Sequence, residues 1–121
     1  MGVKSFKDLI AWQKAIELVV VVYRHSRHFP RDEIYGLRQQ IRRAAVSIPS
    51  NIAEGQCRQT TKDFLQFLAV AHGSLAEVET QVIIAKRLEY VAEQEMDELT
   101  QHINEVGRLL SGLKNSLATD H

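Results

Sequence analysis

Few of the ionisable side chains have the spacing that catalysis requires. A di-iron bundle needs Glu-x-x-His on two helices and two further glutamates, and the sequence contains no Glu-x-x-His; His102 and Glu105 show only the reversed spacing. Cys57 is the single cysteine and has no Cys-x-x-Cys partner. Neither a glycine-rich phosphate loop nor a G-x-S-x-G elbow occurs. We therefore predict that the chain is not an enzyme and holds no metal or cofactor.

The longest distinctive segment is QIRRAAVSIPSNIAEG, from Gln40 to Gly55. Arg38 and Arg42 form one ridge beside its apolar stripe. Antiparallel pairing with the next helix about residues 57–58 would make partner numbers sum to about 115, which places Arg38 opposite Glu77. Small residues, Gly73 among them, would then allow close helix contact. Other polar residues of the segment recur at helical spacing and form a second ridge on one side of the helix. We predict an interface motif that comprises this second ridge, the proline and two acidic partners from the same or a neighbouring subunit. Its residues are Arg43, Ser47, Pro49, Ser50, Asn51, Glu54, Glu77 and Glu79.

Pro49 lies within this predicted helix and lacks the N–H that would bond to the carbonyl of Ala45. One interpretation is a continuous helix with a kink near residues 45–49, since the apolar stripe keeps its phase across the proline. The other is a helix that stops and restarts with Ser47 or Ser50 as its N-cap. Gly55 suits the left-handed position that follows a helix.

Charge is unevenly distributed along a chain that is neutral overall. Residues 1–58 contain ten Lys and Arg against five acids, and the remainder contains five against ten, so the halves carry +5 and −5. The basic half could bind a polyanion, the two halves could attract each other within or between subunits, or both could be ordinary solvated faces. The candidate nucleic-acid-binding residues are Lys14, Arg38, Arg42, Arg43 and Arg58.

Helical periodicity dominates the remaining sequence and predicts an all-α fold. Four helices joined by short loops indicate one domain over 1–121, an antiparallel up-down-up-down four-helix bundle. The first helix should follow a capping box at Ser5 and end near Arg27, with His25 and His28 as C-terminal cations. The others should start near Asp32, after Thr60 and before Met96. The predicted apolar stripes are Leu9, Trp12, Ile16, Val19, Tyr23; Ile34, Leu37, Ile41, Ala44, Ala45, Ile48, Ile52; Phe64, Phe67, Leu68, Ala71, Leu75, Val78, Val82, Ala85; and Met96, Leu99, Ile103, Val106, Leu110, Leu113, Leu117.

The location expected for such a chain is cytoplasmic. The unpaired cysteine favours a reducing compartment, the first ten residues lack the apolar region of a signal peptide, and the longest apolar run, residues 18–23, is too short to span a membrane.

The chain resembles a known bacterial family at these motifs. QIRRAAVSIPSNIAEG, preceded by FPRDEIYGL and followed by FLAVAHGSLAEVETQ, is similar to the four-helix-bundle proteins of 23S ribosomal RNA intervening sequences, to which the accessory variability determinant of diversity-generating retroelements is related. The resemblance implies an all-α bundle, a ring-shaped homopentamer and an unsettled role; the retroelement branch binds nucleic acid and a reverse transcriptase. Two hypotheses follow: an oligomer that binds RNA or DNA through the basic helices, or a protein-binding assembly or scaffold subunit without nucleic-acid affinity.

Overall fold

The computed structural model describes residues 5–119, which form four α-helices and two short 3-10 turns without a β-strand. The helices are α1 (Ile10–Ser26), α2 (Leu37–Gln56), α3 (Thr61–Arg87) and α4 (Glu93–Thr119). The predicted all-α four-helix bundle is confirmed. Each helix packs on the next in the chain, and α1 also packs on α4, so the four surround one core.

Side-chain contacts show the direction in which neighbouring helices pair. Between α2 and α3, Ser47 bonds to Ser74, while Gly55 lies against Phe67. Between α1 and α4, His25 near the end of α1 bonds to Glu98 near the start of α4. Between α2 and α3, rising residue numbers thus meet falling ones; the up-down-up-down topology of the whole bundle stays a prediction.

The first helix begins later than predicted, and a different face of it is buried. The Ser5 hydroxyl accepts a bond from the Lys7 N–H, but it caps the 3-10 turn Phe6–Asp8 rather than α1. In the predicted stripe, Leu9 is buried, Trp12 and Val19 are partly buried, and Ile16 and Tyr23 are exposed. The prediction was wrong because α1 is apolar on two faces, and the one with small residues packs inward. The core residues of α1 are Ala11, Ala15, Leu18, Val21 and Val22.

The second helix starts at Leu37 rather than near Asp32, because residues 31–33 form a 3-10 turn after Pro30. One Glu33 carboxylate oxygen accepts from the Leu37 N–H at 2.9 Å and thereby caps α2 from outside the helix. The helix continues through the buried Pro49, so the alternative with a break at the proline is wrong. The kink itself stays a prediction.

The third helix has the predicted start. Thr60 accepts from the Asp63 N–H at 3.1 Å, a side-chain cap. The helix ends at Arg87. Glu89 then adopts φ 65°, and the Tyr90 N–H bonds to the Ala85 carbonyl, a Schellman-type termination.

The predicted stripes of the last three helices supply most of the core. Ile34, on the loop before α2, is the exception and is exposed. By length and composition α3 could cross a bilayer. Its buried side chains, however, follow the single stripe of a core helix, a pattern that bundle packing explains. The buried core residues of the three helices are Ile41, Ala44, Ala45, Ile48, Pro49, Ile52, Leu68, Ala71, Leu75, Val78, Val82, Ala85, Leu99, Ile103, Val106 and Leu110.

Candidate interaction surface on helices α1 and α2

The five basic residues predicted to bind nucleic acid do not form one surface. Lys14 lies 3.5 Å from Glu17 on α1, and Arg58 bonds to Glu54 at 2.9 Å while its guanidinium lies 4.8 Å from the Phe67 ring centroid. Arg58 is 16 residues beyond Arg42, about 24 Å along a helix. The structure gathers only Arg38, Arg42 and Arg43 at one end of α2.

Arg42 is held in place by α1. Its Nε donates to Ser26 Oγ at 2.8 Å, its Nη2 donates to the Tyr23 carbonyl at 3.1 Å, and its guanidinium lies 4.3 Å from the Tyr23 ring centroid. Burial lowers the pKa of Arg42, and the charges of Arg38 and Arg27 lower it further. No acid pairs with Arg42 within residues 5–119, so like charges are concentrated here without an anionic partner.

Arg42 and Arg43 border a groove between α1 and α2, whereas Arg38 does not line it. One part of it, about 550 Å³, lies against α1, and a second part of about 380 Å³ continues along α2, with Tyr23 and Val46 lining both. Apolar side chains on its walls, such as Val20, remain exposed. We call this the α1–α2 groove; its lining residues are Val19, Val20, Tyr23, Arg24, Arg27, Gln39, Arg42, Arg43, Val46 and Ser47.

Sequence reasoning missed the α1 side of this groove. Val20, Arg24 and Arg27 follow one another at helical spacing and line up on α1. This spacing is visible in the sequence, but the prediction that Tyr23 lies in the core assigned that face of α1 to the interior. Arg24 is also partly engaged, because its Nη1 lies 3.4 Å from Glu98 Oε2 on α4.

The face of α2 toward α3 carries the polar residues of the central motif, with Ser47 at its edge beside the groove. Ser47 Oγ lies 2.9 Å from Ser74 Oγ, and Asn51 Nδ2 donates both to Ser47 Oγ at 2.9 Å and to the Ser47 carbonyl at 2.8 Å. Ser50 is exposed. The motif therefore joins α2 to α3 through the hydroxyls of Ser47 and Ser74, with Asn51 holding Ser47 from within α2, rather than through ion pairs.

The predicted register between α2 and α3 was wrong by six residues. The Ser47–Ser74 pair sums to 121 instead of 115, which places Ala44 rather than Arg38 near Glu77, and these two line a shallow groove with Arg43. Glu77 and Glu79 are exposed, and no ion pair among residues 5–119 involves them, Arg38 or Arg43. The turn between the helices comprises residues 57–60, because α2 extends to Gln56 and α3 begins at Thr61.

Two glycines have roles opposite to those predicted. Gly55 lies inside α2, and a Cβ there would be 2.7 Å from Phe67 Cβ and 2.9 Å from Phe64 Cδ1. Close helix contact thus explains Gly55, not a left-handed C-terminal position. Gly73, which we expected at that contact, is exposed, and a Cβ there would meet nothing within 4 Å.

His25 bonds to α4 rather than capping α1. Its Nε2 lies 2.6 Å from Glu98 Oε1 and its Nδ1 lies 3.2 Å from Glu95 Oε2. The bond from His25 lowers the pKa of Glu98, against the opposing effect of burial, and the charges of Arg24 and His102 act in the same direction as His25. This cluster joins α1 to α4 immediately behind Arg24 of the groove.

A larger groove lies elsewhere, between α3 and α4, and has a different character. It measures about 640 Å³ and is lined mainly by small and polar residues, including Gly107, Ser111 and Gly112. On its wall Lys114 Nζ donates to His72 Nδ1 at 3.2 Å, and burial, followed by the Lys114 charge, lowers the pKa of His72. Across the described part of the chain, no three His, Cys, Asp or Glu side chains are arranged to hold a metal ion.

Comparison with known proteins identifies the family. A search of curated protein sequences gives no significant match. Among solved structures, a protein of unknown function from the S23 ribosomal protein family of Bacteroides thetaiotaomicron VPI-5482, determined at 1.70 Å, shares the fold with a TM-score of 0.78 and 23% identity over 87% of this chain and 98% of the other. The link to the retroelement branch stays a prediction. The family model for the 23S rRNA-intervening sequence protein matches residues 7–112, and the chain therefore belongs to that family.

Proposed function

We propose that the chain is a non-enzymatic assembly subunit whose α1–α2 groove binds the α3 side of a second copy. The observation that carries this proposal is the groove itself, in which exposed apolar side chains lie between arginines that lack a full complement of acids. Apolar centres with arginine are typical of protein interfaces.

The α3 surface has the complementary character. Glu77 is exposed without an ion pair in the described chain, and Val70 and Ile84, seven residues to either side of it, expose apolar area on the same face of α3. The groove and this surface are different parts of the chain, so their contact is heterologous and closes into a ring when the rotation allows. Family resemblance makes about five copies the expected number.

RNA or DNA binding fits the geometry less well. A phosphate-binding surface needs a row of accessible cations, whereas Lys14, Arg42 and Arg58 are each engaged within the chain. The free arginines border an apolar groove, which a phosphate backbone does not need.

Light scattering tests the proposal. The wild-type chain of 13.8 kDa should give about five times its own mass, and Val20→Asp should give the monomer because a charge enters the groove. Ile10→Asp is the matched control: Ile10 is exposed on α1 away from the groove, and its variant should keep the wild-type mass.

A monomeric wild-type protein would refute the proposal. A combination of two results would also refute it. The first is an affinity for structured RNA that falls about 10³-fold or more between 50 and 200 mM salt, as phosphate contacts predict. The second is an unchanged mass of the Val20→Asp variant.

A further inference from the structure

The loop before α2 carries Tyr35, which is the most exposed of the large hydrophobic residues in the described chain. Tyr35 is 88% exposed, and Ile34 beside it is also exposed. Ile84 and Leu88 at the end of α3 expose further apolar area. A tyrosine is among the commonest anchors of protein interfaces, and this one makes no hydrogen bond of its own in the structure. Its exposure therefore has no explanation within one chain.

The loop that carries Tyr35 is nevertheless rigidly held, and Glu33 holds it. One Glu33 oxygen caps the Leu37 N–H at 2.9 Å, and the other accepts from the Tyr90 hydroxyl at 3.0 Å. Hydrogen bonding to Glu33 raises the pKa of Tyr90. A Cβ at Gly36 would lie 2.7 Å from Glu33 Oε1, so glycine leaves room for this carboxylate. The main chain is thus fixed on both sides of a side chain that points to solvent.

A fixed loop with an exposed aromatic tip is pre-organised for binding, because little conformational entropy remains to be lost. The Phe29 and Tyr90 rings, 5.5 Å apart, bring the loop to the same end of the bundle as the last turn of α3. Ile84 and Leu88 therefore lie at the end of the molecule that presents Tyr35.

The α1–α2 groove has the properties that Tyr35 requires. Val19, Val20 and Val46 offer apolar walls around about 550 Å³ of space, and Arg24 and Arg27 lie at its edge. Beside Tyr35, Asp32 is exposed and has no ion pair in residues 5–119, and the same holds for Glu89 after α3. Polarity and charge therefore match between two different parts of one chain.

We propose that Tyr35 of one copy is the anchor that inserts into the α1–α2 groove of the next, with Asp32 facing Arg24 and Arg27. This inference rests on the proposed assembly and names its central contact. It predicts which single side chain the oligomer depends on most.

The test compares Tyr35→Ala with Tyr35→Phe by sedimentation equilibrium and light scattering. Loss of an anchor should weaken assembly about 30-fold or more, so Tyr35→Ala should sediment as the 13.8 kDa chain with unchanged helical content. Tyr35→Phe keeps the ring and should assemble nearly as the wild type does. Ile10→Ala removes a comparably exposed apolar residue elsewhere and should have no effect.

Cross-linking identifies the surface that receives the anchor. In a Cys57→Ser background, the single variants Ile34→Cys, which keeps the Tyr35 ring, and Val20→Cys are mixed and treated with a short bismaleimide. The mixture should yield a covalent dimer in higher yield than either variant alone, and replacing Val20→Cys by Ile10→Cys should abolish the gain.

The outcomes separate this inference from the proposed assembly. A monomeric wild-type protein overturns both. A wild-type oligomer that Tyr35→Ala leaves intact, or a mixture that gains no cross-link, overturns only the role of Tyr35.

Discussion

The two sides of α2 differ in how completely they are filled. Toward α3, Gly55 has no room for a Cβ, and Ser47, Asn51 and Ser74 satisfy one another. Toward α1, Val46 and Tyr23 stay exposed and border the groove. One helix therefore has a closed interface that stabilises the bundle and an open one that is available for binding. Substitutions one residue apart on α2 should therefore affect different properties.

The largest expected effect breaks the closed interface. Gly55→Ala places a methyl group within 3 Å of two phenylalanines, and such overpacking destabilises by about 1–3 kcal/mol, partly offset by the better helix propensity of alanine. Gly73→Ala is the matched control because it meets open space, and it should stabilise by about 1 kcal/mol. Urea unfolding followed by circular dichroism measures both. Equal effects of the two alanines would show that Gly55 is not a contact point.

Adjacent arginines give the second comparison. Arg42→Ala removes two hydrogen bonds and the contact with the Tyr23 ring, and leaves Ser26 Oγ without its donor, so we expect a loss of about 1–3 kcal/mol. Arg43 is exposed and unpaired within residues 5–119, and Arg43→Ala should change stability by less than about 0.5 kcal/mol. Thermal unfolding of the two variants at equal concentration measures the difference. A large loss in Arg43→Ala alone would reverse the assignment.

The smallest effect concerns the cluster behind the groove. The pKa of Glu98 lies below its ordinary value of about 4.5 because His25 bonds to it, so the folded state favours the ionised carboxylate. This contribution is present above pH 4.5 and is lost as the pH falls through the lowered pKa. Since Glu98 is partly exposed, it should amount to less than about 1 kcal/mol. Wild type should lose slightly more stability between pH 7 and 3 than Glu98→Gln, and parallel curves would contradict this.

Sequence periodicity correctly predicted the features that are determined within a single helix. The stripes of α3 and α4 and the cap at Thr60 needed only local spacing, and they are confirmed. The register between α2 and α3, the neighbours of the two glycines and the bonds of His25 depend on pairs of helices, and sequence reasoning misplaced all three. The α1–α2 groove was missed for a related reason: α1 is apolar on two faces, and spacing does not tell which face packs inward.

Glu33 has a consequence for the order in which the protein is made. Its two oxygens connect the loop that carries Tyr35 with Tyr90, which the ribosome adds more than fifty residues later. Until that stretch has been synthesised, one oxygen of Glu33 has no partner from the second half of the chain. An unfinished chain thus lacks the bond between Glu33 and Tyr90, and the loop gains this second support only when α3 is complete and the chain has turned toward α4.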